Sequence, residues 1–108
     1  MSRLPALRAS RDFKRVYDAG RRARRDGVTV FAAQAETAGR TGIVVPKRVG
    51  GAVERNRVKR RIRAILAASD LDGRTDVVVQ AGRSVREARF QELEKHLVEA
   101  LHAAGALR

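Results

Sequence analysis

The side chains best placed to do chemistry in this 108-residue chain are cations. Arg55, Arg57, Lys59, Arg60, Arg61 and Arg63 follow one another closely, with Lys47 and Arg48 just upstream and a single acid, Glu54, among them. Guanidinium and ammonium groups at this density suit the binding of phosphates rather than proton transfer, and arginine adds bidentate and stacking contacts. On a helix at 100° per residue, Asn56, Lys59, Arg60 and Arg63 share one arc at i, i+3, i+4 and i+7. Val58, Ile62, Ile65 and Leu66 form a separate apolar stripe. The like-charge pairs Lys59/Arg63 and Arg57/Arg61 each cost roughly 0.2–0.5 kcal/mol in an isolated helix. Glu54 stands near the helix start, where a negative charge suits the dipole. One face is thus built for a core, and the other for a polyanion.

Other chemistries find little support. Asp12, Asp18, Asp26, Asp70, Asp72 and Asp76 are scattered among turns and caps, so no carboxylate cluster suggests a two-metal nuclease site. HExxH, GxSxG and a deaminase Cys/His/Glu set are all missing from the sequence. Zero cysteines exclude disulfides, thiolate metal sites and a cysteine nucleophile. His96 is expected to pair with Glu92 at i,i+4, and His102 lies near a helix C-terminus, where a cation is favoured. Gly50-Gly51 precedes the basic helix without GxGxxG or GxxxxGK[ST], so a tight strand-to-helix turn is the better reading than a nucleotide loop.

Charge is unevenly spread. Residues 1–63 hold 18 Lys/Arg against 5 Asp/Glu, and residues 64–108 hold 6 against 7, so the net +12 is local to the first part. A nucleic-acid footprint accounts for that distribution better than general solubility. Twenty of the 24 basic residues are arginine, which is compatible with RNA. Apolar content of 44% supports a folded core, and the length suits one domain, 1–108. No apolar run approaches the ~20 residues needed to cross a bilayer. The opening MSRLPALRAS lacks a signal-peptide core. The expectation is a cytoplasmic protein with no membrane association and no obligate protein partner.

These residues need elements to position them. Residues 1–9 read as an irregular arm. Ser10 is expected to cap a helix over 11–19 that stops at Gly20, with Phe13, Val16 and Tyr17 on one face. The basic connection 21–27 can hold a short strand. Val28–Gln34 reads as a strand with Thr29, Phe31 and Ala33 on one face and Val28, Val30 and Ala32 on the other. A turn over 36–42 leads to a second strand over 42–46, ended by Pro46, and the two are expected to form a hairpin. The basic helix should end near Ser69-Asp70. Residues 76–81 read as a strand buried on both faces, parallel to its predecessor through the helical crossover. Ser84 with Glu87 suggests a capping box for a last helix. Its apolar stripe is Phe90, Leu93, Leu97, Leu101 and Ala104, and its outer face is acidic (Glu87, Glu92, Glu94, Glu99). The class is α+β.

The run Lys47-Arg48-Val49-Gly50-Gly51-Ala52-Val53-Glu54-Arg55-Asn56-Arg57-Val58-Lys59-Arg60-Arg61-Ile62-Arg63 resembles the "RNR" helix of the protein component of bacterial ribonuclease P. The Asp12-Phe13-Lys14-x-Val16-Tyr17 helix ending at Gly20 and the Asp76-Val77-Val78-Val79 strand match that family in order and spacing. The resemblance spans residues 4–104. It implies a single-domain, ribosomal-protein-like α/β sandwich in α-β-β-β-α-β-α order, with a central cleft and a left-handed β-α-β crossover, against the general preference for right-handed ones. It also implies two partners, the catalytic ribonuclease P RNA and the 5′ leader of precursor tRNA, with Mg²⁺-dependent leader removal performed by the RNA and no catalytic residue in the protein. By position, Phe13, Tyr17 and Phe31 correspond to aromatics that contact the leader, and Asn56, Lys59 and Arg63 to its polar contacts. Arg55, Arg57, Arg60 and Arg61, with Lys47 and Arg48, correspond to the surface facing RNA backbone. Tyr17 in place of Phe and Pro46 in place of Ser or Ala depart from the family pattern. The competing class is a structural ribosomal or ribosome-assembly protein using the same helix. A DNA-binding reading lacks heptads and a helix-turn-helix pair.

Overall fold

The structure is a computed structural model describing residues 4–108; residues 1–3 of the expected arm lie outside the described residues. Helix α1 (Ser10–Ala19) is followed by strands β1 (Arg21–Arg25), β2 (Val28–Gln34) and β3 (Thr41–Val44). After a 3₁₀ turn (Lys47–Val49) come helix α2 (Ala52–Ala68), strand β4 (Thr75–Ala81), a second 3₁₀ turn (Arg83–Glu87) and helix α3 (Phe90–Ala103). The described part of the arm is tied to the sheet. Leu7 N donates to Thr41 O at 2.8 Å and Thr41 N to Pro5 O at 2.9 Å, forming a parallel bridge beside β3.

The sheet order is β1-β2-β4-β3, with β2 antiparallel to both β1 and β4, and β3 parallel to β4. The expected hairpin between the second and third strands is therefore wrong, because β4 lies between them. Val77, Val78, Val79 and Ala81 are all fully buried, so β4 needs cover on both faces and both edges, whereas the four-residue β3 suffices as an edge. The parallel β3-α2-β4 connection is as expected. A two-residue turn, with Asp26 at φ 49°, joins β1 to β2; aspartate is among the few side chains that visit this region readily.

Two apolar layers flank the sheet. On one face Val28, Val30, Ala32, Val77 and Val79 pack with Val58, Ile62, Ile65 and Leu66 of α2 and with Leu93, Leu97 and Leu101 of α3. On the other, Ala33 and Val78 pack with Leu7 and Val16, with Phe13, Phe31 and Val44 partly buried around them. The stripe foreseen on the basic helix is the buried set of α2. Each such aliphatic side chain contributes on the order of 1.5–3 kcal/mol by leaving water, which holds α2 in place despite its crowded cations.

Helix ends differ from expectation. Ala9, not Ser10, is the N-cap of α1, because its extended backbone (φ −80°, ψ 139°) precedes a helical Ser10; Asp12 N donates to Ala9 O at 3.0 Å. Ser84 caps no helix. Burial of Val85 keeps the chain in the second 3₁₀ turn, and the cap shifts to Arg89, whose N–H donates to Glu92 Oε1 at 3.1 Å. Phe90, expected in the stripe of α3, is 36% exposed as the first residue of the helix. His96 does not pair with Glu92; its ring lies 3.5 Å from Asp26 and 3.8 Å from Glu99.

One acid ties the layers together. Asp76, at the start of β4, has no exposed surface. Its carboxylate accepts from the Arg15 guanidinium of α1 and from Arg40 N at 2.8 Å, and Arg40 also reaches Asp12 at 3.3 Å. α1, the β2–β3 connection and β4 thus share one charged knot.

Candidate nucleic-acid interface

Phe13 turns from α1 onto β3, where Gly42 leaves room for its ring. A Cβ at Gly42 would stand 2.5 Å from Phe13 Cε1, so Gly42 permits a close approach that any side chain would block. Gly42→Val should displace Phe13 and cost about 1–3 kcal/mol by overpacking. A thermal melt with no decrease would disprove that role.

Around Phe13, the arm, β3 and α2 enclose a cavity of about 660 Å³. Its walls include Leu7, Gly42 and Ile43, and on the α2 side Lys59, Arg60 and Arg63. Three of the residues assigned from sequence to the leader (Phe13, Lys59, Arg63) thus share one cleft, joined by Arg60, which the sequence placed on the backbone-facing surface. Asn56 does not line this cavity and is exposed on the same arc nearer the helix start. Among the described residues, the side chains of Asn56, Arg57, Lys59, Arg60 and Arg63 have no hydrogen-bond or ion-pair partner, which leaves these groups free for a ligand.

Tyr17 and Phe31 meet on the other side of Phe13. Their rings are edge to face, with centroids 4.8 Å apart and planes at 85°. Phe13, Lys14 and Tyr17 with Val44 border a shallower groove, so Phe13 belongs to both concavities. Tyr17 is 36% exposed, and partial burial pushes its phenol above the ordinary value. Strand alternation adds Thr29 and Gln80, half-exposed and paired to each other, to the face that carries Phe31. The sequence pattern puts Thr29 on the face of Phe31, but neither Thr29 nor Gln80 was assigned to the site.

The remaining cations serve different ends. Lys47, Arg48 and Arg57 are exposed. Arg61 is half-buried and donates to Ala88 O at 3.2 Å, so it fastens α2 to the approach to α3. Arg55 is also half-buried, and its Nε is enclosed. Glu54 lies 3.6 Å from Arg86, which brings a cation from the C-terminal part of the chain to the start of α2. Among the described residues no group of three or more His, Cys, Asp or Glu could hold a metal, and Asp12 and Asp76 are committed to Arg15 and Arg40. None of the helices among them is long and apolar enough to cross a membrane.

The ribonuclease P family profile matches residues 1–105. The chain belongs to the ribonuclease P protein family. A ribonuclease P protein component from Streptococcus agalactiae is 33% identical, covering 99% of this chain and 100% of the relative. One from Thermus aquaticus is 42% identical over 98% of this chain and 64% of its own length. Among solved structures, a Staphylococcus aureus RNase P protein mutant, described as having defective mRNA degradation activity, superimposes with a TM-score of 0.87 at 25% identity. That match covers 94% of this chain and 89% of the other. The Thermotoga maritima RNase P protein gives 0.81 at 25% identity over 91% and 96%. These matches bear out both the resemblance read from residues 4–104 and the α+β fold class. Ribonuclease P is an RNA–protein endoribonuclease, and this family supplies its protein component, so an RNA partner is implied. The ribosomal or ribosome-assembly alternative has no such support.

Proposed function

We propose that the protein binds the ribonuclease P RNA through the exposed cations around α2 and holds the single-stranded 5′ leader of precursor tRNA along the cleft lined by Phe13, Lys59 and Arg63 and the adjoining Tyr17–Phe31 ring pair. The observation that carries this reading is the shared cavity, in which an aromatic from α1 faces three cations of α2 that have no partner among the described residues. Aromatic faces take bases of any sequence by stacking, and cations follow the phosphates, a combination suited to single strands. Hydrolysis of the phosphodiester belongs to the RNA and its Mg²⁺. Asp12 and Asp76 are held by Arg40 and Arg15, and no carboxylate cluster among the described residues is grouped to take the ion, so the protein's own residues bind and orient. The cytoplasm is the compartment in which it would work.

Reconstitution with ribonuclease P RNA tests the proposal. The protein should lower the Mg²⁺ concentration needed for cleavage and favour precursor over mature tRNA. Equal affinity for tRNA with and without a leader would overturn it. Phe31→Ala should reduce precursor preference by roughly 1–3 kcal/mol, the scale of one lost base stack. An unaltered preference in a folded variant removes Phe31 from the leader site.

A further inference from the structure

The sheet face that carries Phe31 continues past it to the edge strand. In β1, Ala23 is buried in the layer shared with α2 and α3, so Arg22 and Arg24 project from the opposite face. The register places Arg22 beside Phe31 and Arg24 beside Thr29. Phe31 is in turn beside Val78 and Thr29 beside Gln80, and β3 adds Gly42 beside Val78 and Val44 beside Gln80. Two rows therefore cross the sheet. The row Gly42, Val78, Phe31, Arg22 lies under α1, with Phe13 against Gly42 and Tyr17 against Phe31. The row Val44, Gln80, Thr29, Arg24 has three half-exposed members and ends in an exposed arginine. Three inter-strand steps make it about 14 Å long.

The guanidinium groups of Arg22 and Arg24 have no hydrogen-bond or ion-pair partner among the described residues. Charge on an edge strand discourages sheet-to-sheet pairing, but that purpose is indifferent to face and is equally served by Arg21 and Arg25. It does not explain two free guanidinium groups in line with an aromatic and a half-exposed polar row. A phosphate backbone laid along the row fits both features. We propose that Arg22 and Arg24 form the outer end of a single-strand track and hold phosphates of leader nucleotides beyond those stacked at Phe13, Tyr17 and Phe31. This rests on the leader reading above and extends it to the opposite edge of the sheet from α2.

The test uses holoenzyme reconstituted with ribonuclease P RNA and three ligands: precursor tRNA with a long leader, precursor tRNA with a leader of one nucleotide, and mature tRNA. The double variant R22Q/R24Q should bind the long-leader precursor about tenfold more weakly at moderate salt. Its slope of log affinity against log salt should be shallower by about 1.4, the value for two single-strand phosphate contacts. Affinities for the other two ligands should not change. The paired control R21Q/R25Q removes the same charge from the other face of the same strand and should leave all three ligands unaffected. Equal losses for every ligand, no loss at all, or a matching loss in R21Q/R25Q would each overturn the assignment. If the unsubstituted holoenzyme shows no preference for the long leader, the leader reading itself falls, and this assignment with it.

Discussion

Asp76→Asn is expected to lower the stability of the protein by about 3 kcal/mol, the lower end of the cost of breaking a buried ion pair. The carboxylate is fully buried, whereas Arg15 and Arg40 are 26% and 31% exposed, so water screens part of the lost attraction. Asparagine keeps the size and one acceptor for Arg40 N–H, but it leaves Arg15 only the exposed Glu36, 3.8 Å away, as a counter-charge and brings an amide N–H₂ among donors. For a domain of this size, that loss corresponds to a fall in Tm on the order of 10–20 °C. Chemical denaturation should show a lower midpoint with an unchanged m-value. A midpoint equal to that of the parent protein would mean that the knot is not holding the layers together. Because Arg15 and Asp12 both belong to α1, the variant should also loosen the helix that presents Phe13 and Tyr17, and precursor preference should weaken along with stability.

That knot shows where sequence reasoning reaches its limit. Asp76 is one of six scattered aspartates, and its partners Arg15 and Arg40 lie 61 and 36 residues away, so no local pattern joins them. Strand pairing failed for a related reason. Adjacency in the chain favoured a hairpin between β2 and β3, but the demand of an all-apolar β4 for cover on both sides outweighed it. The capping-box pattern at Ser84 and Glu87 was a correct motif in a place where Val85 had to be buried. Gly42 carried a usable signal, since a glycine inside a strand marks a close approach, although nothing local names Phe13 as the visitor.

Periodicity, in contrast, was fully informative where one element had to satisfy two environments. The 3.6-residue spacing of Val58, Ile62, Ile65 and Leu66 identifies the buried side of α2, and the same geometry isolates the arc that contains Lys59, Arg60 and Arg63. Alternation along β2 separates Val28, Val30 and Ala32 from Phe31 and Ala33, which pack on opposite faces of the sheet. What alternation could not supply was the neighbour across the sheet. The platform formed by Thr29, Gln80 and Val44 becomes visible only once β4 is known to lie between β2 and β3.

The triple variant Lys59→Gln, Arg60→Gln, Arg63→Gln should separate binding from folding more sharply than any other change. Arg60 and Arg63 are exposed and Lys59 is half-exposed, and none has a polar partner among the described residues, so no native hydrogen bond or ion pair is lost. Glutamine is a good helix former, and it removes the Lys59/Arg63 repulsion. Stability should therefore stay level or rise by roughly 0.2–0.5 kcal/mol. RNA affinity should move the other way. Three lost phosphate contacts flatten the slope of log affinity against log salt by about 2–2.7 and weaken binding on the order of a hundredfold at moderate salt. Titrations of the ribonuclease P RNA and of precursor tRNA across a salt series, beside a denaturation curve, measure both quantities. An unchanged salt slope would show that this arc does not meet phosphate, and a large loss of stability would show that its cations are bound into the fold. Opposite signs for stability and affinity are the expected mark of a helix whose cations are kept for the partner at the expense of the isolated protein.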